Sequence, residues 1–171
     1  MDRLFIMDAQ DYDPSLKRFR RPSARGIIIK DGRLAMVHSI QYNYYKFPGG
    51  GIKSGESPVS ALIREVTEET GLTVIPESVR EFGSVLRIQL SAYDDQTIFE
   101  QENFYYLCDT KDMLQEQSLD DYESEEGFTL EYVLPETVID VNKNADHGGY
   151  DRHLIERETI VTEYLLSKEL I

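Results

Sequence analysis

Residues 50–72 read GGIKSGESPVSALIREVTEETGL, and the reading of the whole chain turns on their spacing. Ser57-Pro58 supplies a helix cap followed by a proline at the first helical position, and Gly71 supplies a stop. Between them Val59, Leu62, Ile63 and Val66 recur at i, i+3, i+4 and i+7, so the spacing predicts a helix over 58–70 with one apolar face. Glu65, Glu68 and Glu69 lie at i, i+3 and i+4 of that helix, where their carboxylates are expected to converge on one patch beside the apolar face. In the last turns of a helix such acids repel one another and oppose the dipole, at a cost of roughly a few tenths of a kcal/mol each. A hard divalent cation reverses that balance, because clustered carboxylate oxygens are what Mg2+ or Mn2+ binds. The plain alternative is a solvated acidic face in a glutamate-rich chain.

The full pattern is G-x5-E-x7-R-E-U-x-E-E-x-G-U, with U aliphatic, and every fixed position is filled: Gly50, Glu56, Arg64, Glu65, Val66, Glu68, Glu69, Gly71 and Leu72. At average residue frequencies a chance match is below about one in a million. The pattern resembles the signature of the Nudix hydrolases, and Phe47-Pro48-Gly49 just before it strengthens the likeness. The resemblance implies an α/β fold, an α/β/α sandwich around a mixed β-sheet, with the motif forming a loop, a helix and a second loop. It implies hydrolysis of a nucleoside diphosphate linked to another group, with Mg2+ or Mn2+ as cofactor. Carried over position by position, it makes Glu65, Glu68 and Glu69 catalytic and metal-binding, makes Arg64 an orienting residue, and offers the carbonyl of Gly49 as a metal ligand. The proton acceptor is a glutamate in the motif or in a later loop. Here the later candidates are Glu100, Glu102, Glu116, Glu123, Glu125 and Glu126, and Glu126 is favoured because it directly precedes the strand expected at 128–134.

Composition sets the frame. The 171 residues suit one domain with one core, and 40% apolar content is enough to build it; residues 1–22 are expected to be an N-terminal arm or an extra strand. No apolar run reaches the ~18–20 residues needed to cross a bilayer, and the N-terminus lacks a basic start with an apolar core, so a soluble, cytoplasmic chain without a membrane role is expected. A net charge of −14 argues against general binding to nucleic acid or anionic membrane and leaves a small nucleotide as the expected partner. A homodimer is expected from the resemblance alone. Cys108, the single cysteine, excludes an internal disulfide and a cysteine-based zinc site and reads as a small buried hydrophobe.

Along the chain, residues 24–30 and 33–39 flank Asp31-Gly32 and predict an opening hairpin. QYNYYKFPGGGIKSGE reads as a loop whose glycines let the main chain approach a ligand. Residues 83–91 and 98–108 predict a second, longer hairpin, 109–126 an acidic loop with at most a short helical turn, and 128–134 a strand. Pro135 opens a short helix, and Asp151 caps a final one. Arg25 and Arg87, in strands, and Lys46 and Lys53, near the loop, are the candidates for holding phosphates. The cluster Lys17, Arg18, Arg20 and Arg21 reads as a solvated arm, and Tyr42, Tyr44, Tyr45 and Phe47 as core or sheet surface before a stacking surface for a base. Two other functions fit the same fold: a ligand-sensing module that has lost the chemistry, which the intact glutamates disfavour, and an isoprenoid diphosphate isomerase, which would want a cysteine in the pocket.

Overall fold

The computed structural model describes residues 1–171, the side chains of residues 112 and 113 excepted. Its larger sheet is mixed and six-stranded, built on the long antiparallel hairpin of β9 (Arg80–Leu90) and β10 (Thr97–Leu107). β1 (Arg3–Asp8) adds parallel to β9, while β2 (Lys17–Arg20) and β3 (Ser23–Ile27) follow one another in parallel along the other side of β10. Residues 1–22 thus supply two strands. β7 (Gly49–Gly51) lies antiparallel to β3 at the edge. In a second sheet β5 (Arg33–Ser39) runs between β12 (Phe128–Val133) on one side and β4 (Ile29–Lys30) and β6 (Tyr44–Lys46) on the other. β8 (Leu72–Val74) and β11 (Thr110–Leu114) form a two-stranded ribbon.

Helix α1 (Pro58–Thr70) has the ends its sequence dictates: Ser57 Oγ accepts the Ser60 N–H at 3.1 Å, and Gly71 turns left-handed with its N–H on Thr67. Its buried Ala61, Leu62 and Val66 pack on Ala24, Ile28, Val74 and Tyr106. On the opposite face α3 (Pro135–Asn144) and α4 (Arg152–Ser167) send Val138, Val161 and Leu165 against Ile27, Met36, Phe47 and Tyr105. Each such side chain contributes about 1.5–3 kcal/mol by leaving water, and together they hold the layers of an α/β sandwich as the sequence implied. Cys108 is buried in the first of these cores, where burial pushes its thiol up to about 12. Among the described residues no helix is long and apolar enough to cross a membrane.

Three local expectations need correction. The Asp31-Gly32 turn is present, with φ of 52° and 69° at its two residues, but it joins only β4 to β5. Upstream the chain changes sheets at Ile28, whose carbonyl still accepts from Ala35; β3, buried at every position, goes between β10 and β7 instead. The stretch expected as a glycine loop contains β6 and β7, because neighbouring strands supply hydrogen-bond partners that override the weak strand propensity of glycine. The acidic segment holds β11 and a capped helix, α2 (Asp121–Glu126), in which Glu123 reaches back to the Asp120 N–H.

Candidate active site

Arg64, in the middle of α1, organises the exposed side of the motif. Its Nε and Nη2 grip both oxygens of Glu56 at 2.9 and 2.8 Å, Nη2 also reaches the Gly51 carbonyl at 3.1 Å, and Nη1 meets Glu65 at 2.5 Å and Glu68 at 3.2 Å. The bidentate partner is therefore Glu56, and not one of the three helix glutamates. Arg64 holds the Glu56 carboxyl down to about 2, helped by the Lys53 N–H, while Glu56 in turn raises the guanidinium. Glu65 rests against β7 so closely that a Cβ on Gly50 would stand 2.6 Å from its carboxylate carbon, so any side chain there would push the Glu65 carboxylate out of this position.

Glu69 points the other way, into the protein. It is 1% exposed, and its two oxygens accept from Lys46 Nζ at 2.5 Å and the Gly49 N–H at 2.8 Å. Burial pushes its carboxyl up against the opposing pull of Lys46 and Arg25. The Gly49 carbonyl accepts from Arg25 Nη1 at 2.6 Å, and at φ 138° a Cβ here would meet Arg25 Cα at 2.8 Å. The convergence expected of Glu65, Glu68 and Glu69 is thus a division: two on Arg64, one on Lys46. Among the described residues no three carboxylate, imidazole or thiol groups form a ready cation cage.

Beside β7 opens a cavity of about 460 Å³. Arg25, Lys46 and Arg87, among the residues singled out for phosphate, all line it, together with Gly49 and Glu126. Arg87 pairs with Asp151, donates from Nε to Gln89 at 2.9 Å and lies over the Phe99 ring at 5.6 Å; burial lowers its pKa against the pull of Asp151. Glu126, the last residue of α2, is buried and accepts on Oε2 from Tyr44 at 2.9 Å and Ser39 at 3.2 Å. Tyr150 stacks on Tyr44 with ring centres 4.7 Å apart and is pushed up to about 12 by burial. Of the other later acids, Glu100 is held by Arg18 and Arg20, Glu102 by Arg3 and Ser84, and Glu123 by the cap of α2, while Glu116 and Glu125 are exposed; Glu126 alone of the six lines the cavity.

Sequence reasoning missed Tyr150, which also lines the cavity, and undervalued Arg21 and Tyr44. Nothing local distinguishes Arg21 from its basic neighbours. Tyr150 arrives from the loop before α4, a placement set by tertiary packing.

The family model for the NUDIX domain matches residues 20–156. This chain belongs to the Nudix family. Among solved structures, a NUDIX hydrolase from Nitrosomonas europaea shares the fold at a TM-score of 0.60, with 17% identity over 85% of this chain and 89% of that one. The E. coli ORF135 protein does so at 0.53, with 21% identity over 87% and 93%. Among curated relatives, an RNA pyrophosphohydrolase from Xylella fastidiosa (strain 9a5c) is 39% identical over 66 residues, which are 37% of this chain. The chain spans about a third of the length of the curated relatives it matches, 33% in that case. Within the Nudix domain, Glu65 and Glu69 of α1 and the cavity all adjoin β7.

Proposed function

We propose that this Nudix protein hydrolyses the diphosphate link of a small nucleotide with the help of Mg2+ or Mn2+. The observation that carries the reading is the cavity: three buried cations, Arg25, Lys46 and Arg87, face one opening beside a glycine strand that Glu65 and Glu69 flank, in a chain of net charge −14. Cations concentrated in one cleft of an acidic protein draw in an anionic ligand that the surface at large repels. The donors suit a hard cation by chemistry, since carboxylates and a carbonyl are its preferred ligands. Glu65 and Glu68 offer oxygens at the surface, and the missing Cβ of Gly50 leaves room beside Glu65. Glu69 is committed to Lys46 and serves only by exchanging it.

When bound, a divalent cation offsets charge developing on the phosphorus oxygens and makes a water easier to deprotonate. The protein's own share is positioning. Arg25, Lys46 and Arg87 hold the phosphates, Arg64 keeps Glu65 and Glu68 oriented, and Glu126 accepts the water's proton on Oε1, its Oε2 being fixed by Tyr44 and Ser39. The test is a screen in Mg2+, then Mn2+, against normal and oxidised nucleoside triphosphates, ADP-ribose, dinucleoside polyphosphates, NADH and nucleotide sugars, with products identified. RNA carrying a 5′-triphosphate belongs in the panel because the matched curated relatives are RNA pyrophosphohydrolases. Cation-dependent cleavage of a diphosphate link is the expected result; silence across the panel overturns the reading in favour of a ligand sensor.

A further inference from the structure

Two atoms that the metal reading needs, the Glu69 carboxylate and the Gly49 carbonyl, are each already occupied by a cationic side chain. Lys46 Nζ stands 2.5 Å from Glu69 Oε1, and Arg25 Nη1 stands 2.6 Å from the Gly49 oxygen. A carboxylate as enclosed as Glu69 is costly without a counter-charge, so in the cation-free chain something must neutralise it. Both cations also line the cavity in which the phosphates are placed. Arg25 is not wholly satisfied by its present post, since its Nε is buried with no partner, and Lys46 has a second contact besides Glu69, the face of Phe128, 4.5 Å from the ring centre. An orphaned guanidinium N–H is a destabilising feature that an acceptor arriving in the cavity would remove.

We propose that Lys46 and Arg25 are exchangeable counter-ions: in the cation-free chain they occupy the Glu69 carboxylate and the Gly49 carbonyl, and a divalent cation binding there releases them to the phosphates of the substrate. The inference rests on the metal assignment made under the proposed function and adds a consequence to it. One oxygen cannot serve an ammonium and a metal ion at full strength together, so the side chain competes with the metal. Once displaced, the same side chain adds positive charge to the cavity. Metal and anionic substrate therefore favour each other's binding, and by linkage the coupling is the same in both directions. The flexible stem of Lys46 suits the larger of the two movements.

The decisive variant is Lys46→Met, studied without turnover. At pH 8 the Mn2+ dissociation constant, measured by calorimetry, is expected to fall by about tenfold or more relative to the unaltered chain, because a charge-assisted hydrogen bond no longer has to be broken. Its melting temperature without Mn2+ is expected to be lower, and its gain on adding Mn2+ larger; Lys46→Met/Glu69→Gln should lose that extra gain. Mn2+ should also improve the affinity for a methylene-bridged, non-hydrolysable nucleoside triphosphate more in the unaltered chain than in Lys46→Met. If Lys46→Met does not fold, Lys46→Gln, whose amide still donates to Glu69, carries the same expectation for Mn2+. Equal or weaker Mn2+ binding by the folded variant overturns the exchange while leaving the metal assignment intact. Failure of the unaltered chain to bind Mn2+ at all overturns both.

Discussion

The dipeptide Arg-Glu occurs in two helices and does two different things. In α1, Arg64-Glu65 is only partly buried, with its side chains 21% and 14% exposed, and the guanidinium is shared among Glu56, Glu65, Glu68 and the Gly51 carbonyl. In α4, Arg157-Glu158 is 0% exposed at both residues: Arg157 Nε donates to Glu158 at 3.0 Å, Nη1 donates to Gln101 and Asn103, and Glu158 accepts the Phe47 N–H at 3.2 Å. Burial works against the charge of Arg157, but Glu158 and Tyr105 together outweigh it and raise the pKa. Solvent near the first pair lets its bonds be exchanged at little cost, whereas the second cannot open without leaving a charge in the core. The first pair can exchange its partners; the core pair fixes the strand leading into Pro48 and Gly49.

Four substitutions press on that contrast. Arg157→Met should have the largest effect, about 3–5 kcal/mol of lost stability, because it strands Glu158 in the core. A chemical denaturation midpoint unchanged from the parent would show that the buried pair is not the scaffold it is described as. Glu65→Gln should lower cation-dependent turnover by at least about a hundredfold, near 2.7 kcal/mol in the barrier, while the denaturation midpoint stays close to the parent's. Turnover that survives this change would remove the first pair from the chemistry.

Glu56→Gln bears on pH. The Glu56 carboxyl is held down to about 2 against an ordinary value of 4.5, so the stability it lends is complete above 4.5 and is lost as pH falls from there toward 2. The variant should therefore show a shallower drop in melting temperature across that window, measured by circular dichroism; an identical acid limb would mean that the clasp on Arg64 contributes nothing. Smallest of all, Lys143→Ala breaks an exposed pair with Glu163 and should change stability by less than about 0.5 kcal/mol, a baseline for solvent-screened ion pairs in this chain.

Much of this was legible in the sequence because the signals were local. Ser57-Pro58, the apolar face and Gly71 bound α1 at the residues observed, and Asp151 caps α4 through the His153 N–H as expected. The motif itself pointed to Arg64 and the glutamates, strand position brought Arg25 and Arg87 into consideration, and nearness to the glycine loop brought Lys46. What stayed hidden depended on distant partners. The periodicity that places Glu65, Glu68 and Glu69 near one another says nothing of Lys46, twenty-three residues from Glu69, which draws one of the three away. Nor does Gly49-Gly50-Gly51 look like a strand until β3 supplies its hydrogen bonds. The Arg157-Glu158 pair reads as an ordinary charged step of an amphipathic helix, since two adjacent charges give no sign that both will be enclosed.

The parallel pairing of β2 and β3 with β10 sets an order of events in the making of the protein. Ser23 meets Asn103 across 80 residues of chain, and Arg21 and Arg25 belong to the same early segment. While the chain is being synthesised that segment has no β10 to join, and afterwards it must close a long loop before any contact rewards it. Helix α1, with local caps and a local apolar face, is free of that delay. The acidic helix can therefore form before its basic counterpart docks, and the cavity beside β7 is expected to be among the last parts of the molecule to be assembled.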